Sequence, residues 1–343
     1  MKNILVVDNH PVMLKLMNRL LEKKDHCVRT AEDGLSALDT LNTFTPDVIF
    51  IDLVMPNITG DKLCRIIRSM PKLKNAYIVI LSAIAAEENV DFIGFGANAC
   101  IAKGPFDKLS KHIIDVVDRL DHQDSQGFSE EIIGLKEIYK REITKELISS
   151  KRHTEIVISN IAEGILELTT DARILFANPT GISLLGLPEE KLLGSHFAEI
   201  FQSNNDKLKI RNMLEGVREK TQVISENSPV SFNGKQISIT ISSVNDEEYH
   251  SIIVILNDIT ERKRAEKALL ESEEKYRSIL ESIDEGYYEL DLSGSFTFFN
   301  SSISKTFGYP GRDLMGKKIW KFTDEENSAK EYETLRQVRE SGI

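Results

Sequence analysis

Short apolar runs that end in a polar residue recur through the first part of the chain. Residues 4–7, 48–51, 77–81 and 99–102 are runs of the kind found in strands that helices cover on both faces. Residues 27–30 show a weaker strand pattern. Because helical stretches separate these segments, the pattern predicts an α/β doubly wound sheet of five parallel strands.

Four of the predicted strands end in a group that can take part in chemistry: Asp8 with Asn9, Asp52, Ser82 and Lys103. The carboxyl ends of parallel strands meet in a crevice where ligands bind, so these groups are expected to lie together. A single aspartate at a strand end is commonly a helix cap or a turn residue. The occurrence of several such groups favours a functional site.

This arrangement resembles the receiver domain of two-component response regulators, over about residues 1–121. The resemblance rests on residues in the family's order and at suitable spacing: Asp8, Asp52, Met55-Pro56, Gly60, Ser82-Ala83 and Lys103. It implies that Asp52 is the phosphoacceptor, that the Ser82 hydroxyl bonds the phosphoryl group, and that Lys103 neutralises its charge. It also implies that a histidine kinase or phosphotransfer protein is the partner.

Transfer of a phosphoryl group to a carboxylate requires nearby cations, because positioning and electrostatic stabilisation supply most of the catalysis. The resemblance implies Mg²⁺ as the metal, and Mg²⁺ prefers hard oxygen ligands and keeps several waters. The predicted ligands are Asp8, Asn9, Asp52 and a backbone carbonyl near Val54. The receiver would then catalyse its own phosphorylation on Asp52.

Three residues depart from the receiver pattern. Asn9 replaces an acidic residue, Cys100 stands where the family often has an aromatic switch residue, and Gly104 separates Lys103 from Pro105. The loss of one negative charge at Asn9 would lower the affinity for Mg²⁺ and the rate of phosphorylation. A docking scaffold that is not phosphorylated is therefore an alternative function. A redox role for Cys100 is a further alternative.

Residues 156–262 follow a different pattern, which predicts a small α+β domain. A helix and two short strands are followed by further helices, and residues 236–244 and 249–256 form two more predicted strands. The segment ends in Asp258-Ile259-Thr260-Glu261-Arg262. Order and ending resemble a PAS domain, which implies that Asp258 and Thr260 cap the helix that follows.

An internal repeat indicates a second PAS domain. Residues 156–186 and 279–308 share a pattern of strand, turn, strand and short helix, with Asn178 corresponding to Asn300 and Gly186 to Gly308. The second copy begins near Glu274, and the sequence stops before a counterpart of strands 236–256. We therefore expect a fragment or truncation of a longer protein, or a segment that is only partly folded.

Two linking segments have helical spacing of apolar residues. Residues 129–160 and 260–283 each predict either one amphipathic helix or a coiled coil that forms a homodimer. The apolar positions of the first are Ile132, Leu135, Tyr139, Ile143 and Leu147. The seam of the second is Ala265, Leu269, Ser272, Tyr276, Ile279 and Ile283.

These patterns divide the chain into five segments. They are a receiver domain, a helical linker, a first PAS domain, a signalling helix or coiled coil, and the N-terminal part of a second PAS domain, at residues 1–121, 122–155, 156–259, 260–278 and 279–343.

Composition narrows the function classes. The formal net charge of −11 argues against a nucleic-acid surface, which needs clustered Lys and Arg. No apolar run approaches the length of a membrane span, and residues 1–30 show no signal-peptide pattern. The three cysteines fit neither a metal-binding spacing nor an even set of disulfides. We therefore expect a cytoplasmic protein with reduced thiols.

Residue counts also limit the cofactors and enzymes. No cysteine follows Cys100, which excludes a flavin–cysteine adduct in either PAS domain. His196 is a candidate haem ligand in the first PAS domain, although a capping or solvated histidine is the simpler interpretation. A PAS ligand stays unassigned. His153 lacks the surrounding motif of a histidine kinase, and no glycine-rich ATP-binding motif occurs.

These residues predict a phosphorelay protein in which phosphorylation of Asp52 acts through helices on tandem PAS domains and an output domain beyond the sequence. An alternative is the sensory input half of a larger enzyme, either a hybrid histidine kinase or a cyclic-dinucleotide enzyme.

Overall fold

The first sheet of the protein is parallel and five-stranded. The structure is a computed structural model, and it describes residues 1–85, 91–121, 132–135, 142–217, 221–224, 229–245 and 250–341. The sheet has the order β2-β1-β3-β4-β5. Its elements are β1 (Asn3–Val7), α1 (Pro11–Glu22), β2 (Cys27–Ala31), α2 (Gly34–Thr43), β3 (Val48–Asp52), α3 (Gly60–Ser69), β4 (Tyr77–Ser82), β5 (Ala99–Ala102) and α4 (Phe106–Asp121).

Helices cover both faces of this sheet, which confirms the predicted doubly wound fold. Alternating residues of β1 face opposite sides: Ile4 packs with α1 and α4, whereas Leu5 packs with α2 and α3. The apolar runs of β1, β3, β4 and β5 are buried except at Tyr77, which is partly exposed, because both faces of the sheet are covered there. The five predicted strands are observed, each within one residue of its expected end.

The free edge of β5 is occupied by a short piece of the linker. Ile133 forms a parallel bridge with Ile101, donating its N–H to the Cys100 carbonyl and accepting from the Ala102 N–H, both at 2.9 Å. The prediction of a helix from residue 129 to 160 is therefore wrong at Ile132 and Leu135, which lie outside helix α5 (Glu142–Ser159). Unpaired groups of a strand edge attract such pairing, and Gly134 has a φ of 77° that an α-helix does not accept.

Three further predicted positions of this helix are Tyr139, Ile143 and Leu147. Tyr139 lies outside the described residues, and so do the side chains of Ile143 and Leu147.

The second domain is built on a six-stranded antiparallel sheet of order β7-β6-β11-β10-β8, with β9 paired to β10. The predicted strands and the short helix that ends at Gly186 are all present. The elements are β6 (Gly164–Leu168), β7 (Ile174–Ala177), α6 (Pro179–Leu185), α7 (Glu189–Leu192), α8 (Asn204–Gly216), β8 (Gln222–Ile224), β9 (Val230–Phe232), β10 (Lys235–Asn245) and β11 (His250–Asp258).

The last helix to begin in this domain is α9 (Thr260–Ser282). Asp258 Oδ1 accepts a hydrogen bond from the Thr260 N–H at 3.0 Å, as its predicted capping role requires. The Thr260 hydroxyl has another task, because its Oγ1 accepts from the Gln236 N–H of β10 at 2.9 Å.

Chain contacts divide the protein into two compact units, Met1–Thr260 and Glu261–Ile343. The second unit repeats the first elements of the antiparallel domain on a two-stranded sheet. Asn178 and Asn300 are both fully buried, and Gly186 and Gly308 both end a helix in the left-handed region. Its elements after α9 are β12 (Tyr288–Leu290), β13 (Phe296–Phe299), α10 (Ser301–Phe307), α11 (Gly311–Leu314) and α12 (Glu325–Ser341).

In the described part of the chain, no helix is long and apolar enough to cross a bilayer.

Candidate functional site

The carboxyl ends of four neighbouring parallel strands bring the predicted site residues to one edge of the first sheet. Asp8 follows β1, Asp52 ends β3, Ser82 ends β4 and Lys103 follows β5. The strands β1, β3, β4 and β5 are adjacent in that order. The rim site is defined here as these four residues together with Asn9 and Val54.

Lys103 connects the two carboxylates of the rim site, Asp8 and Asp52. Its Nζ lies 2.7 Å from Asp52 Oδ2 and 2.7 Å from Asp8 Oδ2, so one ammonium contacts both carboxylates. The lysine side chain is 13% exposed and the two carboxylates are buried. Its N–H also donates to the Ser82 carbonyl at 2.7 Å, which fixes the lysine backbone against β4.

Asp52 experiences opposing electrostatic effects. Burial raises the pKa of its carboxyl group above the ordinary value, and the nearby Asp8 charge acts in the same direction. The Lys103 ammonium and the Val54 N–H, which donates to Asp52 Oδ1 at 3.4 Å, lower the pKa but do not cancel the effect of burial. The sequence analysis placed the Val54 carbonyl at the site; the structure also places its N–H there.

Asp8 and Asn9 are neighbours in sequence but differ in environment. Asp8 is fully buried, and its Oδ1 accepts from the His10 N–H at 2.9 Å. Asn9 is exposed. The amide that replaces the family's acidic residue therefore lies at the solvent side of the rim site, beside a carboxylate that is already oriented.

Ser82 ends β4, one residue beyond Leu81, which pairs with Asp52 across the sheet. The Ser82 side chain is fully buried, and its Oγ has no hydrogen-bond partner among the described residues. A buried hydroxyl without a partner is costly in a folded protein. A phosphoryl oxygen on Asp52 would be a suitable partner for this donor.

The donor atoms of the rim site suit Mg²⁺. Asp8 and Asp52 are carboxylates that both contact Lys103, and the Val54 carbonyl and the Asn9 amide would supply further hard oxygens. Within the described parts of the chain, no three His, Cys, Asp or Glu side chains converge as a metal site. A magnesium ion here would therefore depend on two carboxylates, neutral oxygens and water.

The loop after Asp52 is tightly packed between the rim site and two helices. A Cβ added at Gly60, the first residue of α3, would lie 2.2 Å from the Asp52 carbonyl oxygen. Asn57 Nδ2 donates to Asp33 Oδ2 at 3.3 Å, just before α2. Ile58 packs so closely on Gly34 that a Cβ there would be 2.7 Å away. Movement of this loop would therefore reach α2 and α3 directly.

The remaining departures from the receiver pattern lie at β5 and after it. Cys100 is fully buried, and burial raises the pKa of its thiol to about 12. A protonated, inaccessible thiol is a poor nucleophile, which argues against the redox alternative. Among the described residues no peptide bond is cis, including those around Gly104.

His196, the candidate haem ligand, precedes a short helical turn at Phe197–Ile200 in the antiparallel domain. Of the two simpler interpretations, capping or solvation, the structure does not bear out capping, because the side chain makes no capping hydrogen bond. The residue is partly buried, and its Nδ1 lacks a partner among the described residues. Its backbone forms a bridge with Arg173.

Sequence analysis missed the side chains that join the two domains of the first unit. Lys62 of α3 pairs with Glu189 of α7, and Arg173 pairs with Asp39 of α2. Each pair joins residues far apart in the chain, and a single sequence carries no pattern that would predict such pairing.

Three family profiles match the chain in succession. The response regulator receiver domain matches residues 4–114, a PAS domain matches residues 162–261, and the PAS fold matches residues 274–342.

Two proteins similar to parts of this chain are sensor histidine kinases. The sensor histidine kinase TmoS of Ectopseudomonas mendocina is 25% identical over 306 residues, which cover 83% of this chain and 31% of that protein. The sensor histidine kinase RcsC of Escherichia coli is 33% identical over 100 residues, or 29% of this chain and 10% of that protein. The chain thus spans less than a third of the length of either relative.

Among solved structures, the signal receiver domain of a DNA binding response regulator from Colwellia psychrerythraea has 27% identity and a TM-score of 0.31. The match covers 34% of this chain and 98% of that one. From the strand order, the rim site and the matched profiles, we conclude that the chain consists of a response regulator receiver domain followed by two PAS domains.

Proposed function

We propose that this protein is a cytoplasmic phosphorelay component whose receiver accepts a phosphoryl group on Asp52. The donor would be the phosphohistidine of a histidine kinase or phosphotransfer protein. The observation that carries the proposal is the Lys103 ammonium, which contacts both Asp52 and Asp8 at 2.7 Å on the same rim as the Ser82 hydroxyl. A carboxylate, an ammonium and a hydroxyl together suit one phosphoryl group.

In the proposed reaction an Asp52 carboxylate oxygen attacks the phosphorus atom. The O–P bond forms as the P–N bond of phosphohistidine breaks, and the imidazole nitrogen keeps the electron pair and takes a proton from solvent. Lys103 and the Ser82 hydroxyl then balance the charge of the phosphoryl oxygens. Mg²⁺, held by Asp8, Asn9, Asp52 and the Val54 carbonyl, would supply further charge neutralisation when bound.

Phosphorylation can be tested with a small phosphodonor. We expect acetyl phosphate and Mg²⁺ to label the wild-type chain and the Asp115→Asn variant, and to leave Asp52→Asn unlabelled. Asp115 is a matched control because it is an exposed aspartate of α4 paired with Arg119. Equal labelling of Asp52→Asn and the wild type would disprove the assignment of Asp52.

A docking scaffold is a second candidate, and the exposed amide Asn9 favours it because the site has one carboxylate fewer than the receiver pattern. This alternative predicts no labelling of the wild type at millimolar Mg²⁺ and no metal binding at the rim site. Labelling that depends on Mg²⁺ would exclude it.

A third candidate is input to a larger enzyme, either a histidine kinase or a cyclic-dinucleotide enzyme, and the similarity to the sensor histidine kinases TmoS and RcsC supports the first of these. The reading frame of the gene beyond Ile343 tests this candidate, because a kinase or cyclic-dinucleotide domain encoded there would favour it.

We also propose that two copies of the chain associate through α9. Three seam residues, Leu269, Tyr276 and Ile279, are at least half exposed in the described structure. An apolar stripe of this spacing suits a parallel two-stranded coiled coil.

A further inference from the structure

The first PAS domain packs on the surface of the receiver formed by α2 and α3, here called the α2–α3 surface. Leu35 and Leu38 of α2 are about nine-tenths buried and belong to the same apolar cluster as Leu193 of the PAS domain. The contact is close at Gly194, where an added Cβ would lie 2.7 Å from Leu38 Cδ1. Apolar burial therefore holds the two domains together.

Two ion pairs frame this apolar contact. Lys62 Nζ of α3 lies 2.7 Å from Glu189 Oε1, with side chains 24% and 21% exposed, and 5.2 Å from the centre of the Phe176 ring. Arg173 Nη1 lies 2.8 Å from Asp39 Oδ2 of α2. Partial burial makes the first pair stronger than a fully exposed pair, since water screens it less.

The α2–α3 surface is also the part of the receiver that directly contacts the loop after Asp52. Gly60 begins α3 against the Asp52 backbone, and Ile58 packs on Gly34 at the start of α2. A change at Asp52 that moved this loop would move both helices that hold the PAS domain. No passage through α4 or the linker is needed for this coupling.

We propose that PAS docking on the α2–α3 surface is coupled to the phosphorylation of Asp52, and that the docked arrangement belongs to the unphosphorylated receiver. The inference rests on the proposed phosphorylation of Asp52. In the docked arrangement the Lys103 ammonium pairs with both Asp52 and Asp8, and a phosphoryl group on Asp52 would compete for that ammonium beside the loop that contacts α2 and α3. Because coupling between two sites is reciprocal, weaker docking must favour phosphorylation by the same factor by which phosphorylation weakens docking.

The docking itself can be measured by carbodiimide cross-linking of the full chain. The carbodiimide activates the Glu189 carboxyl group, and Lys62 Nζ displaces the urea to form an amide bond. We expect a cross-linked Lys62–Glu189 peptide in the wild type, none in Lys62→Arg, and a lower yield after treatment with acetyl phosphate. Absence of the wild-type peptide, or a yield that acetyl phosphate leaves unchanged, would overturn the inference.

The coupling is measured by labelling Asp52 at a limiting concentration of acetyl phosphate. We expect Lys62→Glu to raise the extent of labelling by about threefold to tenfold, as expected for loss of a partly buried pair, and Lys62→Glu with Glu189→Lys to restore the wild-type level. Lys24→Glu is the matched control, because it breaks the Lys24–Asp118 pair within the receiver.

Two failures are distinguishable in this experiment. A wild-type chain that takes no label disproves the proposed function, and the coupling fails with it. Normal labelling on Asp52 that is equal in the wild type, Lys62→Glu and the double variant disproves the coupling alone.

Discussion

The surroundings of Asp52 change the pKa of its carboxyl group. Burial raises the pKa of its carboxyl group even though the Lys103 ammonium is 2.7 Å away. A carboxyl whose pKa is higher in the folded chain stabilises the fold while it is protonated. That contribution is complete below the unfolded pKa of about 4 and is lost as the pH rises through the folded pKa.

Replacing Asp52 by Asn should therefore stabilise the receiver increasingly as the pH rises. We expect the free energy of unfolding of Asp52→Asn to exceed that of the wild type at neutral pH, and the excess to shrink toward pH of about 4. Hydrogen exchange of the β1 and β3 amides measures this free energy within the full chain. A difference between Asp52→Asn and the wild type that stays constant over this pH range would contradict the argument.

The sequence predicted which residues lie together at the rim site, but it did not predict the contacts between their side chains. Asp52 and Lys103 follow buried apolar runs, so their position at the strand ends follows from the pattern. That Lys103 also contacts Asp8, and that Asn9 is exposed, depends on side-chain conformations. Those conformations result from side-chain packing, which cannot be predicted from the residue pattern of a single sequence.

Elements differ in how far local pattern determines them. The receiver strands were predictable because an unbroken apolar run is stable only when it is covered on both faces. The linker prediction failed at Ile132, although the spacing was helical, because the edge of β5 offers Ile133 backbone partners that local periodicity does not show.

The two PAS domains join helices to strands with the same device, a buried asparagine. Asn178 Oδ1 accepts from the N–H groups of Ile165 and Gly181, and its Nδ2 donates to the carbonyls of Ile158 and Glu163.

Asn300 repeats this pattern in the second PAS domain. It accepts from Tyr287 and Ile303 and donates to Leu280 and Glu285. Ile158 and Leu280 lie in the last turns of α5 and α9, so each asparagine fastens the incoming helix to its domain.

Removal of this asparagine should loosen the first PAS domain. We expect Asn178→Ala to lower its free energy of unfolding by about 2–4 kcal/mol, because it leaves one buried and one partly buried N–H group without an acceptor. Asn178→Asp would place a carboxylate oxygen against the Ile158 and Glu163 carbonyls in a fully buried site, so we expect it to cost at least as much. Urea unfolding monitored by hydrogen exchange of β6 and β11 gives both values; a loss below about 1 kcal/mol for Asn178→Ala would contradict this role.

For the whole molecule, the proposed association depends on one face of α9. We expect the variant with Leu269→Glu and Tyr276→Glu to sediment as a monomer, because charged side chains in the seam oppose close packing of two helices. Leu270→Glu is the matched control, since Leu270 is similarly exposed but lies off the seam. The same sedimentation behaviour for the wild type, the seam variant and the control would disprove association through α9.

The sequence did not predict the contact between the receiver and the first PAS domain. Lys62 and Glu189 are ordinary charged residues in their own helices, and Gly194 has the left-handed φ of a turn. Their shared role emerges only when the two domains are folded side by side. Domain identity was therefore predictable, whereas the arrangement of domains was not.

The bridge between Ile133 and Ile101 has a consequence for recognition of the receiver by other proteins. An extended peptide that sought to continue the parallel sheet beyond β5 would first have to displace Ile133 from the Cys100 and Ala102 backbone. The segment at Ile133 thus competes with strands of other proteins for the β5 edge. Its effective concentration there is set by its covalent attachment to the receiver and does not depend on the amount of protein in the cell. A peptide would therefore pair with the β5 edge only if it bound there more strongly than the covalently attached Ile133 segment does.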